Sequence, residues 1–189
     1  MRFTLRGTRV VDATMDLAEA DITINGVQIE RIGSVVHAPE KVLDARSTIV
    51  MPGFIEVHTH GGGGFALHTT NVDEIRAYAR WAPSAGVTSF LTTVVGTPNA
   101  LPVAQLQTAV EAIEQPSAGA EILGIYLEGP YLNVKRRGAH PPTWLRQPDP
   151  AETAQILALT KGYLRLLTLA PELPGAHVLI QSLLEAGVT

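Results

Sequence analysis

The sequence predicts an α/β fold, in which a small N-terminal β unit over residues 1–47 precedes four β/α units in series over residues 48–189. Three observations carry this. The first stretch alternates apolar and polar residues between turn signals, as half-buried strands do. Beyond Ser47 the strands become continuous apolar runs, which a parallel sheet covered on both faces requires. Between those runs, apolar residues recur at helical spacing and are flanked by helix start and stop signals. A complete (β/α)8 TIM-type barrel takes about 250 residues. The part of this 189-residue chain beyond position 47 supplies a little over half of that, so it reads as the N-terminal half of a barrel. An open four-stranded doubly wound sheet fits the same count, and periodicity does not choose between them. The charged fraction of 17% favours the incomplete barrel, because surfaces made for a missing half read as apolar.

In the β unit, residues 2–8, 20–24, 27–32 and 41–44 read as strands, and Asn25-Gly26 is a strong hairpin signal. The unit is expected to be antiparallel, with little core of its own. Residues 48–58, 87–95, 121–127 and 164–169 are the four apolar strands. The first helix carries Val72, Ile75, Tyr78 and Ala79 behind Thr70 or Asn71 as its cap, and the second carries Leu106, Ala109, Val110 and Ile113. The third opens on Asp149-Pro150-Ala151-Glu152: a capping carboxylate, proline at the first helical position and Glu at the third. It is expected to stop near Gly162. The fourth carries Ile180, Leu183 and Leu184 and ends at Gly187, with Val188-Thr189 reading as the start of a fifth strand.

Composition removes several function classes. Hydrophobic residues make up 46% of the chain, enough apolar side chain to exclude disorder. A net charge of −4 leaves no basic field for a nucleic-acid backbone. The absence of cysteine removes disulfides, thiolate ligands and a thiol nucleophile together. No apolar run approaches the roughly 20 residues of a membrane span, and the first residues lack a signal-peptide core. A soluble, cytoplasmic protein is expected, with neither nucleic acid nor membrane as partner.

Two segments carry chemistry. In Pro52-Gly53-Phe54-Ile55-Glu56-Val57-His58-Thr59-His60, followed by four glycines, strand alternation would put His58 and His60 on one side at the strand's C-terminal end. Two neutral imidazoles so placed can share a metal ion, and barrel active sites sit at that end. The glycines let the backbone turn sharply and approach a ligand closely. A bare His-x-His often does no more than close a strand, but the preceding Pro-Gly-Phe-Ile at the first apolar strand weighs against that reading. In Gly124-Ile125-Tyr126-Leu127-Glu128-Gly129-Pro130, Glu128 ends an apolar strand, where a buried carboxylate is costly unless paired or bound to a cation. A Glu at a solvated strand end is the plainer alternative.

The stretch from Pro52 to His60 resembles the first-strand signature of the amidohydrolase superfamily, barrel hydrolases with a flanking β-sandwich built from both chain ends. The superfamily more often has Asp where Glu56 stands. Leu127-Glu128-Gly129-Pro130, Asn133, the loop Lys135-Arg136-Arg137-Gly138-Ala139-His140-Pro141 and Thr168-Leu169-Ala170-Pro171-Glu172 closely resemble the N-acetylglucosamine-6-phosphate deacetylase family, in order over nearly the whole chain. The resemblance implies that residues 1–47 belong to a small β-sandwich domain and residues 48–189 to the first half of a metal-dependent barrel. It implies hydrolysis of the acetamide of N-acetylglucosamine 6-phosphate with a divalent metal ion (zinc, iron or similar, one or two per site). Glu128 would be the metal-binding carboxylate, His58 and His60 would complete or extend the metal centre, and Ala139 and His140 would contact the sugar.

In that family two further histidines and the general-base Asp come from later strands, which this chain does not contain. It therefore supplies no catalytic residue of its own and is expected to be inactive alone. The resemblance further implies a homodimer in the full-length form, or association with a missing C-terminal half.

Two rival readings differ in class. A cyclic-amide hydrolase or deaminase would use a modified lysine on the fourth strand, and here the nearest, Lys161, precedes that strand. A non-catalytic half-barrel assembly module would bind no metal tightly. Among the remaining candidates, Lys135-Arg136-Arg137 reads as a solvated loop that adds potential for an anionic sugar phosphate. His68 reads as a loop histidine and Glu172 as a helix-start carboxylate, while His37 and His177 have no evident partner in sequence. The glycine run lacks the spacing of a dinucleotide fingerprint.

Overall fold

The computed structural model describes residues 1–34, 41–115 and 118–189, so the expectation for His37 lies outside the described residues. The chain divides into two compact units, Met1–Pro52 and Gly53–Thr189. No helix among the described residues is long and apolar enough to cross a membrane.

The first unit is one sheet of β1 (Arg2–Val11), β2 (Asp16–Asn25), β3 (Gln28–Gly33), β4 (Val42–Asp44) and β5 (Ile49–Val50). Its order is β3-β2-β1-β4, with β5 also on β1. The Asn25-Gly26 turn joins β2 to β3 as expected, with Gly26 in the left-handed region at φ 62°. The expectation of an antiparallel unit holds for β1, β2 and β3 only, since β4 and β5 pair with β1 in parallel. Hairpin chemistry exists at Asn25-Gly26, whereas nothing in the sequence before β4 forces a tight reversal, and β1 offers its second edge to whichever segment reaches it. The core here is small, built on Val10, Ala20 and Ile22, with the buried hydroxyls of Thr4 and Thr23 satisfying each other at 3.1 Å.

The second unit contains a parallel sheet of β6 (Phe54–Glu56), β9 (Val87–Val95), β10 (Glu121–Glu128) and β11 (Leu164–Thr168), in the order β11-β10-β9-β6. A two-stranded hairpin, β7 (Gly61–Gly62) and β8 (Phe65–Ala66), follows β6. The expected strand over 48–58 is therefore two short strands in different sheets, β5 and β6. Pro52, without an N–H, cannot join a ladder, and the parallel pairing begins only where Phe54 N–H donates to Gly86 O.

Helices α1 (Val72–Trp81), α2 (Val103–Glu114), α3 (Pro150–Thr160) and α4 (Ala176–Glu185) fall where the periodicity puts them. Asn71 caps α1 through Asp73 N–H, and Asp149 caps α3 through Ala151 and Glu152 N–H. Lys161 ends α3 in the left-handed region just before Gly162, and Gly187 does the same after α4. Val94, Ile125, Leu127, Leu164 and Leu167 of the sheet pack with Leu106, Val110, Ile156, Leu179 and Leu183 of α2, α3 and α4. Tyr78 of α1 meets Phe90 of β9 edge to face, with ring centres 4.8 Å apart.

The apolar runs of β9 from Ser89 to Val94 and of β10 from Gly124 to Leu127 are buried as a doubly covered sheet demands, but Leu123 at the start of β10 and Phe54 and Ile55 of β6 are exposed. At the other edge Thr189 already pairs along β11, donating to Arg165 O and accepting from Leu167 N. The first residue of a fifth parallel strand would do the same.

Candidate metal centre

The parallel register brings the C-terminal ends of β9, β10 and β11 level, with Glu128 opposite Val95 on one side and Thr168 on the other. Tyr126, two residues earlier, shares the face of Glu128. It is almost fully buried, its hydroxyl bonds Thr168 Oγ1, and its ring meets the His58 imidazole edge to face with ring centres 4.8 Å apart. Burial pushes the Tyr126 phenol pKa up, the Thr168 bond opposes this and the Glu128 charge adds to it. The group stays a neutral hydroxyl that packs one wall of the site.

His58 and His60 come from the other side. They do not lie on a strand, because β6 ends at Glu56 and the chain then bends. Alternation is thus not what aligns them. The Glu56 carboxylate accepts from His58 N–H at 3.0 Å, and Thr59 N–H donates to Thr93 Oγ1 of β9 at 3.2 Å. These two bonds hold the bend so that both imidazoles turn toward Glu128. The glycine run closes the β7–β8 hairpin against Trp81. A Cβ on Gly63, which sits at φ 63°, would fall 2.5 Å from the indole, so this glycine serves a close internal approach rather than contact with a ligand.

Glu128 Oε2 lies 3.4 Å from His58 Nε2 and 3.3 Å from His60 Nε2, and one donor atom from each residue falls within 4.8 Å of the others. Two ligands about 2.1 Å from a tetrahedral ion stand about 3.4 Å apart, so these separations suit donors sharing one cation. Two imidazole nitrogens with a carboxylate oxygen, and no thiolate, form a donor set for zinc or iron rather than for calcium. Glu128 Oε1 faces the opposite way, 3.3 Å from His140 Nε2. His140 and Ala139 line a pocket of about 380 Å³ together with His60, Glu128, Arg137 and Trp144. The predicted residues His58, His60, Glu128, Ala139 and His140 are thus gathered at one end of the sheet, with both histidine imidazoles about half exposed and Glu128 mostly covered.

The other candidates stay outside the donor set. His68 Nδ1 accepts from Val95 N–H, and burial, then the neighbouring His60, lowers its pKa; it ties its loop to the end of β9. Glu172 accepts from Asn133 Nδ2 at 2.8 Å, holding two loops together. Lys135 and Arg136 are exposed, whereas the Arg137 guanidinium donates to His140 O. His177 is the second residue of α4. Lys161 pairs with Glu114 before β11 begins, so the lysine-bridged reading has no residue to carry it. Glu152 does not act as an ordinary capping-box Glu: it accepts from the Tyr131 hydroxyl and pairs with Arg146. Sequence reasoning missed Tyr126, Thr93 and this group. Only Tyr126, two residues before Glu128 on the same strand, had a readable signal.

Residues 49–178 match the model of the amidohydrolase family. The chain belongs to that family. Within it, the chain is 35% identical over 185 residues to the human N-acetylglucosamine-6-phosphate deacetylase, an alignment covering 91% of this chain and 44% of the relative. It is 33% identical over 157 residues to an N-acetylgalactosamine-6-phosphate deacetylase of Escherichia coli O157:H7, covering 83% of this chain and 42% of the relative. Among solved structures, a mutant N-acetyl-D-glucosamine-6-phosphate deacetylase from Mycobacterium smegmatis in complex with N-acetyl-D-glucosamine-6-phosphate superimposes with a TM-score of 0.84 at 30% identity. That match covers all of this chain and 48% of the other. The chain spans less than half the length of each of these three proteins.

Proposed function

We propose that this chain forms the first half of the active-site barrel of a metal-dependent deacetylase that converts N-acetylglucosamine 6-phosphate and water into glucosamine 6-phosphate and acetate. The observation that carries the reading is the convergence of His58, His60 and Glu128 at the C-terminal end of a parallel sheet, beside a pocket lined by Ala139 and His140. In this reading Gly53–Thr189 is the first part of a (β/α)8 barrel, and the N-terminal sheet is part of a small β-sandwich. The barrel is completed by residues beyond these 189, which also bring two more histidines and the general-base Asp. The full-length form is a cytoplasmic homodimer, and its substrate carries a phosphate that does not cross lipid unaided.

Glu128 Oε2 and the two imidazoles would hold a divalent ion, zinc or iron, and with both histidines retained the site would admit a second. Such an ion supplies Lewis acidity toward the acetamide carbonyl and lowers the pKa of water to about 7. His140 fixes the second oxygen of Glu128, which leaves Oε2 directed at the histidines. Ala139 and His140 form the pocket wall on which the sugar is oriented, and the mostly covered Glu128 keeps bulk water from that side.

Turnover is the test. The chain mixed with a separately expressed segment carrying the remaining histidines and Asp, with zinc or iron(II) present, should release acetate from N-acetylglucosamine 6-phosphate. The 33% identity to a galactosamine-type deacetylase makes the C4 epimer the comparison substrate, and its faster turnover would reassign the sugar. A metal-loaded, properly docked pair without turnover on either sugar would favour the non-catalytic module.

A further inference from the structure

The loop over residues 133–146 carries Ala139 and His140 and has no regular secondary structure beyond two short 3-10 turns. Three contacts hold its far end. Arg146 N–H donates to Pro130 O at 3.1 Å, Arg146 Nη1 donates to Thr97 O at 3.2 Å, and Arg146 Nη2 lies 2.9 Å from Glu152 Oε1. The other oxygen of Glu152 accepts from the Tyr131 hydroxyl at 2.7 Å, and Tyr131 is fully buried three residues after Glu128. The Arg146 side chain therefore ties the loop after β9 to the N-terminus of α3, and through Glu152 to the buried Tyr131, while its backbone N–H holds the Gly129-Pro130-Tyr131 turn after β10. Its contact with Glu152 is an ion pair rather than a well-angled hydrogen bond, and Nε has no hydrogen-bond partner among the described residues. A group held this imperfectly is a poor stability device, since half-satisfied buried charge costs more than an apolar replacement. What the side chain does provide, through Glu152 and the buried Tyr131, is a fixed relation between the turn that follows Glu128 and the loop that carries His140.

We propose that Arg146, Glu152 and Tyr131 are positioning residues that hold the 133–146 loop so that His140 stays over Glu128 and directs its Oε2 toward His58 and His60. The consequence for metal affinity rests on the reading of Glu128 as a ligand; the placement of His140 does not. Partners behind a metal ligand commonly change affinity 10- to 100-fold when removed, and Arg146 acts one step further out, so a loss of about 10-fold is expected.

The experiment has two readouts on the 189-residue chain: the dissociation constant for Zn²⁺ by competition with a chromophoric chelator, and the imidazole carbon–proton resonances of the histidines by NMR. Arg146→Met should weaken Zn²⁺ binding about 10-fold and shift or broaden the His140 resonance while leaving that of His177 in place. In a His140→Ala background, Arg146→Met should cost nothing further for Zn²⁺, a result general destabilisation would not give. Arg146→Lys should restore part of the affinity. Tyr131→Phe, which keeps the buried ring, should show the same effects in weaker form and serves if the Met variant does not fold. An unmoved His140 resonance overturns the proposal, as does an equal loss in both backgrounds. A wild-type chain that binds no Zn²⁺ overturns the metal reading instead, and the His140 resonance still decides the positioning role.

Discussion

Glu128 ends a strand paired on both sides, with Val95 and Thr168 as its neighbours in register, whereas His58 and His60 follow a three-residue strand that, among the described residues, pairs with β9 alone. The carboxylate is mostly covered, while the histidine side chains are 47% and 57% exposed. One side of the site is thus set by the sheet itself. The other is set by two bonds from the bend, to the Glu56 carboxylate and the Thr93 hydroxyl, and by the glycine hairpin behind it. A donor fixed by backbone register tolerates changes around it, and one fixed by single side-chain bonds does not.

Substituting the donor on the rigid side should give the largest effect. Glu128→Gln keeps size and register but removes the charge that balances a dication, so Zn²⁺ affinity should fall on the order of 100-fold or more, beyond what outer partners cost. Isothermal titration checks it, and retention of affinity would make Glu128 a structural residue. On the soft side, Gly63→Ala forces a methyl group into the Trp81 indole at a left-handed position, which should cost about 2 kcal/mol in chemical denaturation. Thr93→Val removes only the acceptor for Thr59 N–H. It should cost about 1 kcal/mol and lower Zn²⁺ affinity through the histidines, while the equivalent loss at Thr168, beside Glu128, should leave affinity nearly unchanged. Equal effects at the two threonines would erase the asymmetry.

The smallest effect concerns His68. Its folded pKa lies below the roughly 6.5 of a free imidazole, so as pH falls the unfolded chain takes up the proton first. The stability gained by burying the neutral ring is present above about pH 6.5 and declines as pH drops below it. His68→Gln, which keeps an acceptor near Val95 N–H, should flatten the fall of Tm as pH drops below about 6.5. An unchanged slope would mean that other groups govern that window.

What was legible in the sequence follows the same division. The strands over 87–95 and 121–127 and all four helices were readable because continuous apolar runs and caps such as Asn71 and Asp149 are local signals. That His58, His60 and Glu128 fall toward one end of the sheet was readable from parallel strands ending level, whereas their reading as one ligand set rested on the family resemblance. The bend at His58 was misread as strand alternation, because the bonds that make it join Thr59 to Thr93, 34 residues away, and no local pattern records them. The parallel pairing of β4 and β5 with β1 was missed for a similar reason: short strands on a free edge carry no turn chemistry. Arg146 was invisible because its partners, Thr97 and Glu152, belong to separate elements and Glu152 looks like an ordinary helix-start residue.

The claim at the centre is that His58, His60 and Glu128 bind one divalent ion together. X-ray absorption at the zinc edge, on the chain loaded with one equivalent of Zn²⁺, reads the ligands themselves. Two imidazoles and carboxylate oxygen at about 2.0–2.2 Å, with one imidazole lost in His60→Ala, is the result this account predicts. An oxygen-only shell, or a spectrum that His60→Ala leaves unaltered, would contradict it.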